Sequence, residues 1–148
     1  MSENEVDRFL AMGRQVGASD VHLAAGAVPT YRLHGALRKI KYRELTAEDT
    51  ERMVRSILDE RQMARFQEEL ELDLCYANER VGRCRTNVCV QNRGWDLTFR
   101  LIPDRIATLD ELGLPAVVHR LLDYRQGLIL VTGQAGCFDV TVTPLNPT

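Results

Sequence analysis

The sequence predicts an α+β fold, with a mostly antiparallel sheet flanked by helices and followed by the opening of a second unit. Three observations lead there. Helical and strand-like hydrophobic periods alternate up to Pro103. Two long runs, Val81 to Gln91 and Trp95 to Ile102, read as a β-hairpin turning through Asn92-Arg93-Gly94. After Pro103 the composition changes to a helical segment and an all-apolar run that ends in a glycine loop.

The elements follow in order. Ser2 with Glu5 has capping-box spacing, so a first helix is expected to bury Val6, Phe9, Leu10 and Met12 or Gly13 and to end near Gly17. Ser19 to Leu23, Thr30 to Leu33 and Leu37 to Ile40 are short strand-like runs separated by Gly26, Pro29 and Gly35, which predicts an antiparallel meander. Thr46 with Asp49 opens a second helix carrying Met53, Val54, Ile57 and Leu58 at helical spacing. Asp59 with Gln62 opens a third, with Met63, Phe66 and Leu70 on one side. Glu71 to Tyr76 returns to strand, with Leu72 and Leu74 alternating against Asp73 and Cys75, and the hairpin follows.

Beyond Pro103, Thr108 with Glu111 caps a short turn that Gly113 breaks. Pro115 then starts a helix expected to bury Leu114, Val118, Leu121 and Leu122. The apolar run Gly127 to Thr132 suits a central strand of a parallel sheet. It leads into Gly133-Gln134-Ala135-Gly136-Cys137, the first five positions of a Walker A phosphate loop, G-x-x-x-x-G-K-S/T. The loop is not completed, because Phe138, Asp139 and Val140 stand where Gly, Lys and Ser or Thr belong. Such a loop has no lysine for the β/γ-phosphates and no hydroxyl for magnesium.

Composition narrows the function classes. A chain of 148 residues that is 45% hydrophobic buries one real core. A formal net charge of -2 gives no global basic field for nucleic acid or anionic membrane. The first residues, with Glu3, Glu5, Asp7 and Arg8, form no apolar signal, and no stretch reaches the roughly 20 apolar residues of a membrane span, so a cytoplasmic location is expected. Cys75, Cys84, Cys89 and Cys137 have neither C-x-x-C spacing nor a histidine at zinc-site distance. They read as reduced, partly buried thiols, and no metal site is expected.

The hairpin carries a second chemical clue. In its first strand Cys84, Thr86, Val88 and Val90 form the more apolar set, against Arg83, Arg85, Asn87 and Gln91. In the return strand Trp95, Leu97, Phe99 and Leu101 face the core, while Asp96, Thr98 and Arg100 face away. A shared polar face requires opposed residue numbers to sum to an odd value. A two-residue turn at Asn92-Arg93 pairs Arg85 directly with Arg100, and one at Arg93-Gly94 sets them diagonally. Opposed like charges cost up to about 1 kcal/mol on an exposed sheet, which points to a bound anion. The alternative is a solvated face with Asp96 or Glu79 as counter-charge.

A resemblance joins these features. Gly17-Ala18-Ser19-Asp20-Val21-His22-Leu23-Ala24-Ala25-Gly26 with Arg32 and Gly35, Val81 to Asn87, Gln91 to Gly94, Phe99 to Pro103, Glu111 to Pro115 and Gly127 to Gly133 together resemble the N-terminal part of the PilT-like ATPases. These are motors of type IV pilus retraction (twitching motility) within the secretion-ATPase superfamily. The resemblance runs from about residue 5 to 137. It implies a PAS-like N-terminal domain at 1–104, a linker at 105–114, and at 115–148 the start of a RecA-like P-loop core, truncated inside its Walker A loop and ending in a divergent tail. It further implies a homo-hexamer acting with the pilus inner-membrane machinery, cytoplasmic and peripheral to that membrane, that uses ATP and Mg and no nucleic acid. The family's N-domain arginines lean on a nucleotide held by a core domain, and they match Arg85 and Arg100. That match favours the anion reading of the hairpin. The sequence departs from the family at Trp95 and Asp96 beside the turn, at Cys84 and Cys89, and after Gly136, where the completed Walker A, Walker B and histidine motifs are missing.

Three readings result. In the first the chain is the N-terminal part of a retraction-type motor, giving subunit contacts and Arg85 and Arg100 to a neighbour's ATP, with no bound nucleotide and no hydrolysis of its own. In the second it is a stand-alone PAS-like regulatory or adaptor module for a pilus or secretion ATPase, and in the third a small-molecule sensor. His22, in the Ser19-Asp20-Val21-His22 run, is expected to be a hydrogen-bonded structural residue.

Overall fold

The structure is a computed structural model and describes residues 4–105, 107–123, 126 and 130. Two compact units divide the chain, Met1–Asp104 and Arg105–Thr148. The first contains α1 (Glu5–Gln15), β1 (Asp20–Leu23), β2 (Thr30–Leu33), β3 (Ala36–Lys39), α2 (Ala47–Ile57), α3 (Glu60–Glu69), β4 (Glu71–Asn78), β5 (Gly82–Gln91) and β6 (Gly94–Leu101). All the strand pairings are antiparallel, in the order β3-β2-β1-β6-β5-β4. The meander and the hairpin meet where β1, short and early in the chain, lies against β6.

Each helix start has a local cause. The cap of α1 is Asn4, whose side chain accepts the Val6 N–H at 3.1 Å, in place of the expected Ser2, which lies outside the described residues. Asparagine is among the strongest N-cap residues, and it lies closer to the apolar stripe. That stripe buries Val6, Phe9, Leu10 and Gly13, while Met12 is exposed. Gly13 is small for a reason: a Cβ there would meet Val21 Cγ2 at 3.0 Å, so glycine lets α1 approach β1 closely. Thr46 with Asp49 and Asp59 with Gln62 form the two predicted capping boxes of α2 and α3. Leu70 departs from expectation. It adopts the left-handed conformation at φ 63°, which turns the chain from α3 into β4 and swings its side chain out of the apolar stripe into solvent.

The core lies between the helices and one sheet face, and gathers Val6, Phe9, Leu10, Val21, Leu23, Met53, Val54, Phe66, Val88, Leu97 and Phe99. Trp95 packs edge-on against Phe66 at 5.0 Å between ring centroids, with the Arg55 guanidinium over its own face. The parity predicted for the hairpin holds from Cys84 to Val88 and from Leu97 to Leu101, but Val90, beside the turn, is exposed. β3 is exposed throughout and begins at Ala36 instead of Leu37.

In the second unit Thr108 and Glu111 make the expected reciprocal cap, Thr108 N–H to Glu111 Oε2 at 2.9 Å and Glu111 N–H to Thr108 Oγ1 at 3.3 Å. The segment after Pro115 is a 3₁₀ helix over Ala116–Asp123; Leu114, Val118 and Leu121 are only half-buried where burial was expected, and the Leu122 side chain lies outside what is described. A short helix depends on packing of its apolar stripe, and here that stripe is only partly covered. The strand expected at Gly127 to Thr132 lies outside the described residues apart from Leu130, which is exposed. Gly133, Gln134, Ala135, Gly136 and Cys137, the start of the Walker A loop, lie outside them as well.

Candidate anion site on the open sheet face

The helices cover the face that carries Val21, Leu97 and Phe99, which leaves the alternate residues of the same strands on the opposite face. The hairpin closes through two residues, Asn92 and Arg93, with Gln91 opposite Gly94. Of the two registers open to the sequence, this is the one that sets Arg85 directly across from Arg100. The row continues over four strands: Arg85 faces Arg100, Arg100 faces Asp20, and Asp20 faces Arg32. With strands about 4.8 Å apart, three guanidinium groups share a narrow strip.

The counter-charges come from neither Asp96 nor Glu79. Asp96 accepts the Ala25 N–H at 3.1 Å, and the carboxylates that meet the arginines are Asp20 and Asp73. Asp20 is buried, and its two oxygens are divided between partners. Oδ1 accepts from Arg100 Nε at 3.2 Å, while Oδ2 lies 3.3 Å from Arg32 Nε and accepts from the Ser19 hydroxyl at 2.8 Å. Arg32 also donates through Nη1 to Gly35 O at 3.0 Å. Arg85 meets Asp73 through Nη2 at 3.5 Å, both side chains being well exposed. The side chains of Arg100 and Arg85 are 62% and 70% exposed, so the pair stays available to a ligand.

His22 lies on the same face, one row further along β1. Its Nδ1 is 3.4 Å from Thr98 Oγ1, and its buried Nε2 has no partner among the described residues. Burial holds its pKa below the ordinary value, with Asp20 opposing that shift and Arg32 adding to it. It is a half-satisfied structural histidine. Among the thiols Cys75 is exposed, Cys89 half-buried and Cys84 buried, with the Cys84 thiol pushed up by burial.

Three guanidiniums against two carboxylates leave one net positive charge on this strip. Planar forks with free terminal nitrogens suit phosphate or carboxylate oxygens taken two at a time. The sequence points to Arg85 and Arg100 but not to the roles of Asp20, Arg32 and Asp73. The available signal was the alternation in β1, which places Asp20 and His22 opposite to Val21 and Leu23.

No protein-family model matches the chain. Individual proteins do. It is 37% identical over 132 residues to the type IV pilus retraction ATPase PilT of Pseudomonas aeruginosa, covering 89% of this chain and 38% of that protein. It is 34% identical over 112 residues to a twitching motility protein of Neisseria gonorrhoeae, covering 76% of this chain and 30% of that one. A crystal structure of the pilus retraction motor PilT with bound ADP superposes with a TM-score of 0.75 at 35% identity, over 90% of this chain and 39% of that one. The Legionella pneumophila ATPase DotB shares the fold, at a TM-score of 0.70 and 24% identity. The fold and the relatives point to one class, the N-terminal region of the secretion ATPases. Within that class the chain belongs to the PilT-like family and corresponds to its N-terminal part. It spans less than two-fifths of the length of these relatives.

Proposed function

We propose that this chain serves as the N-terminal part of a hexameric, ATP-driven motor of the pilus-retraction kind, and that Arg85 and Arg100 reach the phosphates of a nucleotide held by a neighbouring subunit. In this reading residues 1–104 are the PAS-like domain, 105–114 the linker and 115–148 the opening of the RecA-like P-loop core. The motor works at the cytoplasmic side of the inner membrane with the pilus machinery, on ATP and Mg. The observation that carries the reading is the direct opposition of two exposed arginines, Arg85 and Arg100, on the open sheet face. Opposed like charges repel, Asp20 and Asp73 offset the charge of the strip only in part, and relatives with this domain include a PilT structure that holds ADP. Phe138, Asp139 and Val140 cannot replace the Walker A Gly-Lys-Ser/Thr, so the chain by itself does not turn over ATP.

A chimera that joins the first unit of this chain to the core of the Pseudomonas aeruginosa PilT tests the proposal. With hexamer size retained, Arg85→Ala and Arg100→Ala are each expected to lower kcat by about 100-fold, the usual scale for loss of one donor to transition-state charge. Unchanged turnover in both variants would refute the assignment.

A further inference from the structure

We infer that Asp20 is the positioning residue of this site, gripping Arg100 by its Nε edge so that the terminal nitrogens face outward. The inference rests on the reading of the arginine row as an anion site. An aspartate is rarely buried without partners, and a buried carboxylate has to be fully bonded to be tolerated. Asp20 meets that condition by giving one oxygen to Arg100 Nε and the other to Arg32 Nε and the Ser19 hydroxyl. A carboxylate that closed on one guanidinium in the two-pronged mode would occupy the fork a phosphate needs. By splitting its oxygens between two arginines, Asp20 fixes both and fully covers neither.

Among the described residues Arg100 bonds through Nε alone, which leaves Nη1 and Nη2 for a ligand. Arg32 is further tied to Gly35 O and serves as the anchor on the far side of Asp20. Arg85 is held differently, at 3.5 Å through one terminal nitrogen to an exposed aspartate. The site therefore has a fixed arm, Arg100, and a loose arm, Arg85. A fixed arm has already given up its rotamer freedom before the ligand arrives, so the ligand does not bear that cost.

Charge counting and positioning predict opposite signs for Asp20→Asn. Removing a negative charge from an anion site tightens binding if Asp20 only balances charge, and weakens it if Asp20 positions Arg100. The test uses the 148-residue chain, arginine Nε–Hε signals in nitrogen-15 spectra, and inorganic tripolyphosphate as the probe. In the wild type the Arg100 and Arg32 Hε protons are expected to exchange about ten-fold more slowly than that of Arg85, the protection given by a hydrogen bond to a charged acceptor. Tripolyphosphate is expected to shift Arg85 and Arg100 together. In Asp20→Asn the Arg100 proton is expected to exchange as fast as that of Arg85, with tripolyphosphate affinity down about three-fold, the scale of re-ordering one long side chain. Fast Arg100 exchange in the wild type, or equal or tighter binding by a folded Asp20→Asn, overturns the inference. If Asp20→Asn does not fold, the wild-type comparison of Arg100 with Arg85 decides. A wild type that ignores tripolyphosphate defeats the anion reading, while slow or fast Arg100 exchange still upholds or overturns the grip of Asp20.

Discussion

Asp49→Ala in α2 is expected to destabilise the first unit by about 1 kcal/mol. Asp49 is buried, and its Oδ2 accepts the Thr46 N–H at 2.9 Å while Asp49 N–H donates to Thr46 Oγ1 at 3.2 Å. Alanine removes the return half of this box, worth about 1 kcal/mol on the scale of a lost cap. Arg43 and Arg52 also bond Asp49, at 3.0 Å and 2.7 Å, but both are more than half exposed and add little after solvent screening. The bonds from Arg43, then that from Thr46, hold the Asp49 carboxyl well below its ordinary pKa of 3.8. The unfolded chain therefore takes up this proton first as the pH falls. The stability from Asp49 is complete above about 3.8 and drains away below it, toward the depressed folded value. Urea unfolding followed by fluorescence of Trp95, the one tryptophan, measures both effects. A cost under about 0.5 kcal/mol at pH 7, or an acid slope unchanged between wild type and variant, would refute the reasoning.

Two further outcomes are expected from the same assay. His22 has its pKa lowered chiefly by burial, so the unfolded state binds its proton first and stability declines as the pH falls below 6.5. His22→Gln is expected to flatten the urea midpoint over that interval, and an unaltered slope counts against it. Gly94 sits at φ 146°, and a Cβ there would lie 2.7 Å from the Ala25 Cβ and 3.1 Å from the Ala47 Cβ. Gly94→Ala is therefore expected to cost about 2 kcal/mol or more, and near-wild-type stability would contradict the packing.

Local chemistry was legible in the sequence, and long-range neighbours were not. Thr46 with Asp49 and Asp59 with Gln62 are three residues apart, so their boxes can be read without knowing the fold. The Arg85 to Arg100 pairing is similar, since a hairpin with a short turn fixes its own register to within two choices. Leu70 could not be foreseen, because a left-handed helix end is signalled by glycine and here a leucine takes it. The grip of Asp20 on Arg100 depends on β1 pairing with β6 across most of the first unit, and no local period encodes that choice of neighbour. Asp96 looked like a counter-charge on the hairpin but is turned by the same pairing toward Ala25 N–H.

Arg14, near the end of α1, donates to the carbonyls of Val81, Arg83 and Ile102 and lies 3.7 Å from Asp104. One side chain thus staples the first helix to the last residues of its unit, just past the central strand β6. Tension applied to the chain at Asp104 meets this staple first and then two hydrogen-bonded ladders, one on each side of β6. Peeling the strand away requires both to fail together. Force arriving there is handed to the whole sheet and to α1, as a strut passes load into a frame.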